Sequence, residues 1–416
     1  MSERIVLMFA YHFPPENAVG GRRPFRFARY LPEVGYRCHV ITAADQSSCP
    51  GSTAEYVPDP FICQPGRGMG WQVERVIRRF FLPAVVGVRW SLMACKAARS
   101  FARANPGAEI TVFSTFPPLG THLAAWRFSR SSGLKWIADF RDPLKVSPWV
   151  EGFSGFHRAL SGWLERFFLR QADLVIANTD AMAEEWRAVD PARSGRIQLI
   201  WNGFDPEERI EPLALPPRDY KLYSHVGELY SGRNITPLLE SVSRLIESGR
   251  LAAADFRIRL LGNVDRHSMP PEAFLQRAGS QGWLEIIPQE VPRAEAQHLM
   301  QTSDGLLLVQ PQSAIQVPGK LFDYVQIGRP VLAYIPPDSP IERVLSQSGI
   351  PYRCAYSNSS AQDMDSAVES FFSLPTGSTP MADSFHREFD SRMQTTRLVS
   401  FIDSLRGADK VVYRGE

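Results

Sequence analysis

Short, mostly apolar runs recur along the chain. In the first half they are Ile5–Phe9, Cys38–Thr42, Ile110–Phe113, Trp136–Ala138 and Asp173–Asn178. In the second half they are Leu222–Val226, Arg257–Leu261, Leu284–Ile287, Gly305–Val309 and Val331–Ile335. Runs this short, with little polar alternation, predict strands buried on both faces of a parallel sheet. Between them the apolar positions follow helical spacing, as at Phe25, Phe27, Ala28 and Leu31 before Gly35. Further helices are predicted from the Ser114–Pro118 turn to about Ser131, and over 235–248, 294–302, 361–373 and 383–405. Two successive β/α series imply two α/β domains with right-handed crossovers. The division falls at 1–205, a Glu- and Pro-rich linker over 206–218, a second domain over 219–382 and a closing segment over 383–416. A chain of 416 residues is long enough for two cores.

Charge sharpens this picture. The net charge is only +2, but residues 1–200 carry 25 Lys/Arg against 17 Asp/Glu, and residues 201–416 carry 21 against 27. A basic first half suits an anionic partner, such as a phosphate-bearing acceptor or an anionic membrane surface. No nucleic-acid recognition motif accompanies that charge. Trp71–Asn105 mixes Arg75, Arg78, Arg79, Arg89, Lys96, Arg99 and Arg103 with bulky apolar residues, and Pro83 is expected to break it into two helices. Such a segment either lies in a membrane interface or packs as a buried helix with snorkelling arginines. The longest apolar run, Phe80–Val88, is too short to span a bilayer. Five scattered cysteines without a C-x-x-C pair predict neither a disulfide framework nor a zinc site, and suit a reducing cytoplasm. The amino terminus does not read as a signal peptide.

The chemistry concentrates where strands end. Val317–Ala333 reads as a short helix between two strands, with Gly319 free to adopt unusual angles at its entry and Gly328 closing it. Leu321, Phe322 and Val325 form the packing face; Lys320, Asp323 and Gln326 share the other. Free N–H groups, a cation and a carboxylate together suit a nucleoside diphosphate, with Asp323 accepting from ribose hydroxyls. Asp139-Phe-Arg-Asp-Pro143 places two acids and an arginine at another strand end. A capping aspartate with a structural ion pair is the plainer alternative there. Gly20-Gly21 opens a helix where bare backbone can approach a phosphate, and Arg22 and Arg23 follow; these arginines meet an acceptor phosphate or are merely solvated. The opening is not G-x-G-x-x-G, so a nicotinamide site is poorly supported. Asp363-Met-Asp365 is the only D-x-D; it begins a helix rather than ending a strand, and reads as structural.

Nearly the whole chain resembles the retaining GT-B glycosyltransferases of family 4. The matching motifs are Pro14-Pro15…Gly20-Gly21, Asp173-Leu-Val-Ile-Ala-Asn-Thr179, Ile200-Trp-Asn-Gly-Phe-Asp205, Gly227…Gly232-Arg233 and Lys320-Leu-Phe-Asp-Tyr324. The resemblance implies two Rossmann-like domains facing a cleft, with the closing helix crossing back onto the first. It also implies sugar transfer from a nucleotide-diphosphate donor to a glycan or polyprenyl-linked acceptor hydroxyl. Configuration at C1 is retained, without a metal or other cofactor. Implied donor-binding residues are Gly20, Gly21, Gly227, Arg233, Gly262, Val291, Gly319, Lys320, Leu321 and Asp323; Asp142, Asp139 and Arg141 are catalytic; His12, Arg22 and Arg23 meet the acceptor. The implied location is the cytoplasm, at the inner face of a membrane. Asp323 stands where glutamate is usual, Ile315 where the family has its first glutamate, Arg141 where many members have histidine, and Glu228 where arginine is common. Two other readings remain open at this point: a sugar-binding scaffold, and a nucleotide-sugar 2-epimerase using Asp139, Asp142 and His12.

Overall fold

The computed structural model describes residues 2–15, 19–63, 68–76, 87–145, 155–230 and 232–412, the last six as backbone alone. The chain divides into two compact units, Met1–Asp205 with Asp390–Glu416, and Pro206–Phe389.

The first unit begins β1 (Arg4–Phe9), α1 (Arg22–Tyr30), β2 (Arg37–Thr42), β3 (Thr53–Tyr56), α2 (Pro60–Cys63), α3 (Gly68–Val76) and α4 (Val88–Ala104). It continues β4 (Glu109–Phe116), α5 (Leu119–Ser132), β5 (Trp136–Phe140), α6 (Gly155–Gln171), β6 (Leu174–Ala177), α7 (Asp180–Val189) and β7 (Ile197–Leu199). Its seven strands pair in parallel in the order β3-β2-β1-β4-β5-β6-β7. Successive residues of a strand point to opposite faces, and β1 shows why its run is continuously apolar. Ile5, Leu7 and Phe9 join the core built with Trp90, Ala94 and Phe128 of α4 and α5. Val6 and Met8 join the opposite core, with Phe27 and Leu31 at α1 and Leu398 and Ile402 from the end of the chain. Helices α4 and α5 touch through small residues; a Cβ on Gly120 would lie 2.3 Å from the Gly87 carbonyl oxygen.

Two strands outrun their apolar signal. β4 continues from Phe113 to Phe116, because the hydroxyls of Ser114 and Thr115 are satisfied inside the fold. β5 reaches Phe140, so Asp139 lies within the strand and not in the loop beyond it. β3 is a half-exposed edge strand whose Thr-Ala-Glu-Tyr sequence carries no apolar run. The basic segment forms α3 and α4; the expectation for Pro83, like all of 77–86, lies outside the described residues.

The second unit runs β8 (Lys221–Val226), α8 (Thr236–Glu247), β9 (Phe256–Leu261), α9 (Glu272–Ser280), β10 (Leu284–Ile287), α10 (Arg293–Gln301) and β11 (Gly305–Val309). It ends α11 (Lys320–Ile327), β12 (Val331–Ile335), α12 (Pro340–Ser348), β13 (Tyr352–Tyr356), α13 (Ala361–Phe372) and α14 (Asp383–Phe389). The parallel order β10-β9-β8-β11-β12-β13 repeats the topology of the first sheet. Strand order therefore reverses between β1 and β4 in one unit and between β8 and β11 in the other, and ligands of such sheets gather outside the strand ends at that point. In the closing segment, α14 stays with the second unit, while α15 (Ser391–Val412) belongs to the first. Asp365 of the D-x-D is tied down by Arg244 at 2.6 Å and the Ser241 hydroxyl at 2.6 Å.

Candidate functional site

In the second unit the switch point is built by glycines and one lysine. β8 ends at Val226 and turns through Gly227 at φ +122°; β9 ends at Leu261 and turns through Gly262 at φ +127°. Side chains rarely adopt that conformation. The two turns are also in contact, since a Cβ on Gly262 would lie 2.8 Å from the Gly227 carbonyl carbon. The loops beyond pair at Leu229 and Val264, and Asn263 donates to Glu290 at 3.1 Å, linking the Gly262 turn to the loop carrying Val291.

Onto this floor α11 lowers Lys320. Its ammonium donates to the Val226 carbonyl at 2.9 Å and lies 3.4 Å from His225 Nε2; a Cβ on Gly227 would come within 2.7 Å of it. His225 is fully buried, with Nδ1 3.0 Å from the Leu307 carbonyl. A carbonyl only accepts, so Nδ1 carries the proton and Nε2 presents a lone pair to Lys320. Burial, then Lys320, holds His225 well below its usual range, hence neutral. Burial also lowers Lys320 to about 7, assisted by Arg233 and opposed by Glu228. Arg233 lies over the Tyr230 ring at 4.7 Å, and Glu228 is exposed. Asp323, partly buried, occupies the first turn of α11, with Leu321, Phe322 and Val325 on the packed face. Gly328 closes the helix at φ +74°. Gly319 departs from expectation: at φ −57° and ψ −31° it is ordinary helical backbone, with no unusual angle for glycine to absorb. His225 was not legible as a site residue beforehand; its one signal is a histidine inside an otherwise buried strand end.

The corresponding point of the first unit is organised differently. Arg23 Nε donates to both Asp139 carboxylate oxygens at 3.1 Å and Nη2 to Oδ1 at 2.8 Å. The rest of its guanidinium is taken by the carbonyls of Ile200 at 2.8 Å and Trp201 at 2.6 Å, and Thr115 donates to Asp139 at 2.8 Å. Asp139 is 0% exposed and Arg23 6%. The pair is therefore neither a solvated helix start nor an acceptor contact: its bonding capacity is consumed inside the fold, which corrects the acceptor role for Arg23 and the sugar-facing role for Asp139. Arg141, at the end of β5, donates from Nε to the Phe116 carbonyl at 3.1 Å and from its two Nη atoms to the carbonyls of Gly20 and Pro117. It thus joins the β4 end to the glycine loop, and a Cβ on Gly20 would collide with it at 2.7 Å. Gly21 packs on the chain at Phe13, where a Cβ would lie 3.1 Å from the Phe13 Cα. His12 lies edge-on to Tyr11 at 5.0 Å; His12, Arg22 and Asp142 are all partly exposed. His122, buried beneath β4, bonds Ser114 at 2.8 Å and is lowered to about 3 by burial and Arg141, so it is neutral and part of the core.

Two parallel sheets of this order, in two Rossmann-like domains, define a GT-B fold, and the comparisons agree. Residues 20–208, just under half of the chain, match the sequence model of Glycosyltransferase Family 4. Direct comparison with curated protein sequences finds no match. Among solved structures, HepE of Anabaena in complex with UDP and glucose is similar at 13% identity and a TM-score of 0.57, over 96% of this chain and 99% of that one. The UDP-forming α,α-trehalose-phosphate synthase of Burkholderia xenovorans is similar at 13% identity and a TM-score of 0.63, over 97% of this chain and 100% of that one. WaaG, a glycosyltransferase involved in lipopolysaccharide biosynthesis, is similar at 14% identity and a TM-score of 0.54, over 89% of this chain and 90% of that one. Identities this low establish the fold alone. Together the family match and the topology support a glycosyltransferase of GT-B type.

Proposed function

We propose that the chain transfers a hexosyl group from a nucleoside-diphosphate sugar to an acceptor hydroxyl, with retention at C1. The observation that carries this reading is the Lys320 ammonium, held at the β8/β11 switch point above two glycine turns, with Arg233 alongside. In transfer the bond from C1 to the diphosphate oxygen breaks and a bond from C1 to the acceptor oxygen forms. The acceptor's proton passes to the departing phosphate on the same face. Negative charge grows on the leaving diphosphate, and cations held against it stabilise it more than they stabilise the substrate. Lys320 and Arg233 supply that charge without a metal. Asp323, one turn into α11, holds the ribose; Gly262 and Val291 border the base. UDP in the HepE complex makes a uridine nucleotide the first donor to test. A polyprenyl-linked or surface-glycan acceptor at the cytoplasmic face of a membrane completes the reading, and agrees with the basic first half.

The test is a panel of UDP-, GDP-, dTDP- and ADP-sugars, read by calorimetry and by release of nucleoside diphosphate. One donor binds and turns over slowly without acceptor, and Lys320→Met and Asp323→Ala both abolish turnover. Binding without turnover under any acceptor tried would leave a sugar-binding scaffold; a changed sugar on the recovered nucleotide would mean the epimerase.

A further inference from the structure

The exposed large apolar side chains are not scattered evenly. Ile62, Met69, Val73, Val76, Leu92 and Met93 all belong to α2, α3 and the first turns of α4, with Met69 82% and Val73 52% exposed. On α3, Met69, Val73 and Val76 stand at i, i+4 and i+7, which makes one stripe along a helix face. On α4, Leu92, Lys96, Arg99 and Arg103 follow the same spacing and are all exposed. The helices touch: Phe61 of α2 stacks on Trp71 of α3 at 5.4 Å, and Gly70 of α3 lies against Arg89 of α4. The charge around these stripes has one sign. Among the described residues of 60–108 there are five Lys/Arg (Arg75, Arg89, Lys96, Arg99 and Arg103) and a single acid, Glu74, which is turned inward at 2% exposure. Arg75 sits beside the apolar stripe, over the Trp71 ring at 5.2 Å.

We infer that α3 and the start of α4 form a docking surface for an anionic lipid bilayer, with Met69, Val73 and Leu92 entering the acyl boundary and Arg75, Arg89 and Lys96 meeting headgroup phosphates. A partner surface without negative charge would gain nothing from the absence of exposed carboxylates among the described residues here. A bilayer rewards both halves of the pattern: apolar side chains gain by leaving water, and each cation gains from the surface potential. No helix among the described residues is long and apolar enough to cross a membrane, so this is attachment to the surface. The inference deepens the membrane setting of the proposed function. It concerns residues remote in sequence from Lys320, so vesicle binding and donor turnover are read separately and fail separately.

The experiment is co-sedimentation of the full chain with vesicles of phosphatidylcholine alone or mixed with phosphatidylglycerol. Binding is expected only with the anionic lipid, and declines as added salt shortens the screening length. Arg75→Glu weakens it by about fivefold or more, the value of one cation near the surface. The double variant Met69→Glu with Val73→Glu weakens it by roughly tenfold or more through lost apolar insertion. These side chains are exposed, so the variants keep the wild-type melting temperature and donor hydrolysis. Equal binding to neutral vesicles, no binding to either, or variants that bind like the wild type would each overturn the inference. So would self-association in sedimentation velocity that the double variant abolishes, which would make the surface a contact between two copies of the chain.

Discussion

The proposed donor site makes a specific demand on pH. In the empty site Lys320 is lowered to about 7, against an ordinary 10.5, because its ammonium is desolvated and feels the charge of Arg233. A pyrophosphate close to that nitrogen reverses the balance, so the donor binds the charged form and affinity follows the fraction protonated. That fraction is about one half at pH 7 and ~1% at pH 9, so affinity should fall roughly fiftyfold over the interval, approaching tenfold per pH unit. The ligand to use is an intact nucleotide sugar, since a terminal phosphate has a proton of its own near pH 6. Calorimetry at pH 8 in buffers of different ionisation heat should show uptake of nearly one proton. Lys320→Met loses most of the affinity at pH 7 and all of the slope; Lys320→Arg, charged throughout, is flat across the range. The sign for folding is equally definite. Because the folded group releases its proton first, the ligand-free protein is destabilised by this lysine below about pH 7, and that penalty is relieved as pH rises toward 10.5. A wild-type affinity that does not change from pH 7 to 9, or a methionine variant with the same slope, would refute the assignment of Lys320 to the phosphate.

Three further substitutions test the packing behind the site. Asp139→Asn leaves the Arg23 guanidinium buried without its carboxylate and should destabilise the first unit by about 3–5 kcal/mol; a urea midpoint equal to wild type would contradict the structural role of the pair. Gly262→Ala places a Cβ 2.8 Å from the Gly227 carbonyl carbon at φ +127°. Strain of about 1–3 kcal/mol should appear in the melt, and donor affinity should fall because the Gly227 turn must move; an unchanged dissociation constant would count against the glycine floor. Gly120→Ala drives a Cβ to 2.3 Å from the Gly87 carbonyl, and should lower stability by ~1–3 kcal/mol, with wild-type donor affinity as the control.

Most of the fold was legible because parallel sheets covered on both faces demand apolar runs, and β11 and β12 supply them without interruption, as β1 does from Ile5 to Phe9. What the runs concealed has a common cause: polar groups satisfied by partners far along the chain. Ser114 and Thr115 look like the start of a loop until His122, Trp136 and Asp139 are seen around them. Arg23 and Asp139 are 116 positions apart, and no local pattern announces that they pair. The α11 motif was readable because its packed and polar faces alternate within eight residues. Its chemistry was not, since the environment of Lys320 depends on His225 and the Val226 carbonyl, 95 and 94 positions away.

The two switch points share a topology and differ in what fills them, and under the proposed function that difference assigns the diphosphate to the second unit. In the first unit the strand ends are closed by protein: Arg141 occupies the carbonyls of Phe116, Pro117 and Gly20, and the Arg23–Asp139 pair fills the space beside them. In the second, the Lys320 ammonium donates to the Val226 carbonyl and lies 3.4 Å from His225 Nε2, over turns kept bare by Gly227 and Gly262. An arginine committed to three carbonyls has little left for a phosphate, whereas a lysine depressed to about 7 gains charge when one arrives. Exchanging the residues separates these roles. Arg141→Lys cannot span the same three oxygens, because an ammonium is a point donor where a guanidinium is a planar fork. It should lower the urea midpoint while nucleotide-sugar affinity, measured where the variant is still folded, stays within about twofold of wild type. Lys320→Met should do the opposite, relieving a buried amine and raising stability near pH 7 while affinity collapses. If Arg141→Lys costs as much affinity as Lys320→Met at equal folded fraction, the diphosphate is held by the first unit's arginine as well, and the division of labour argued from the two crevices is wrong.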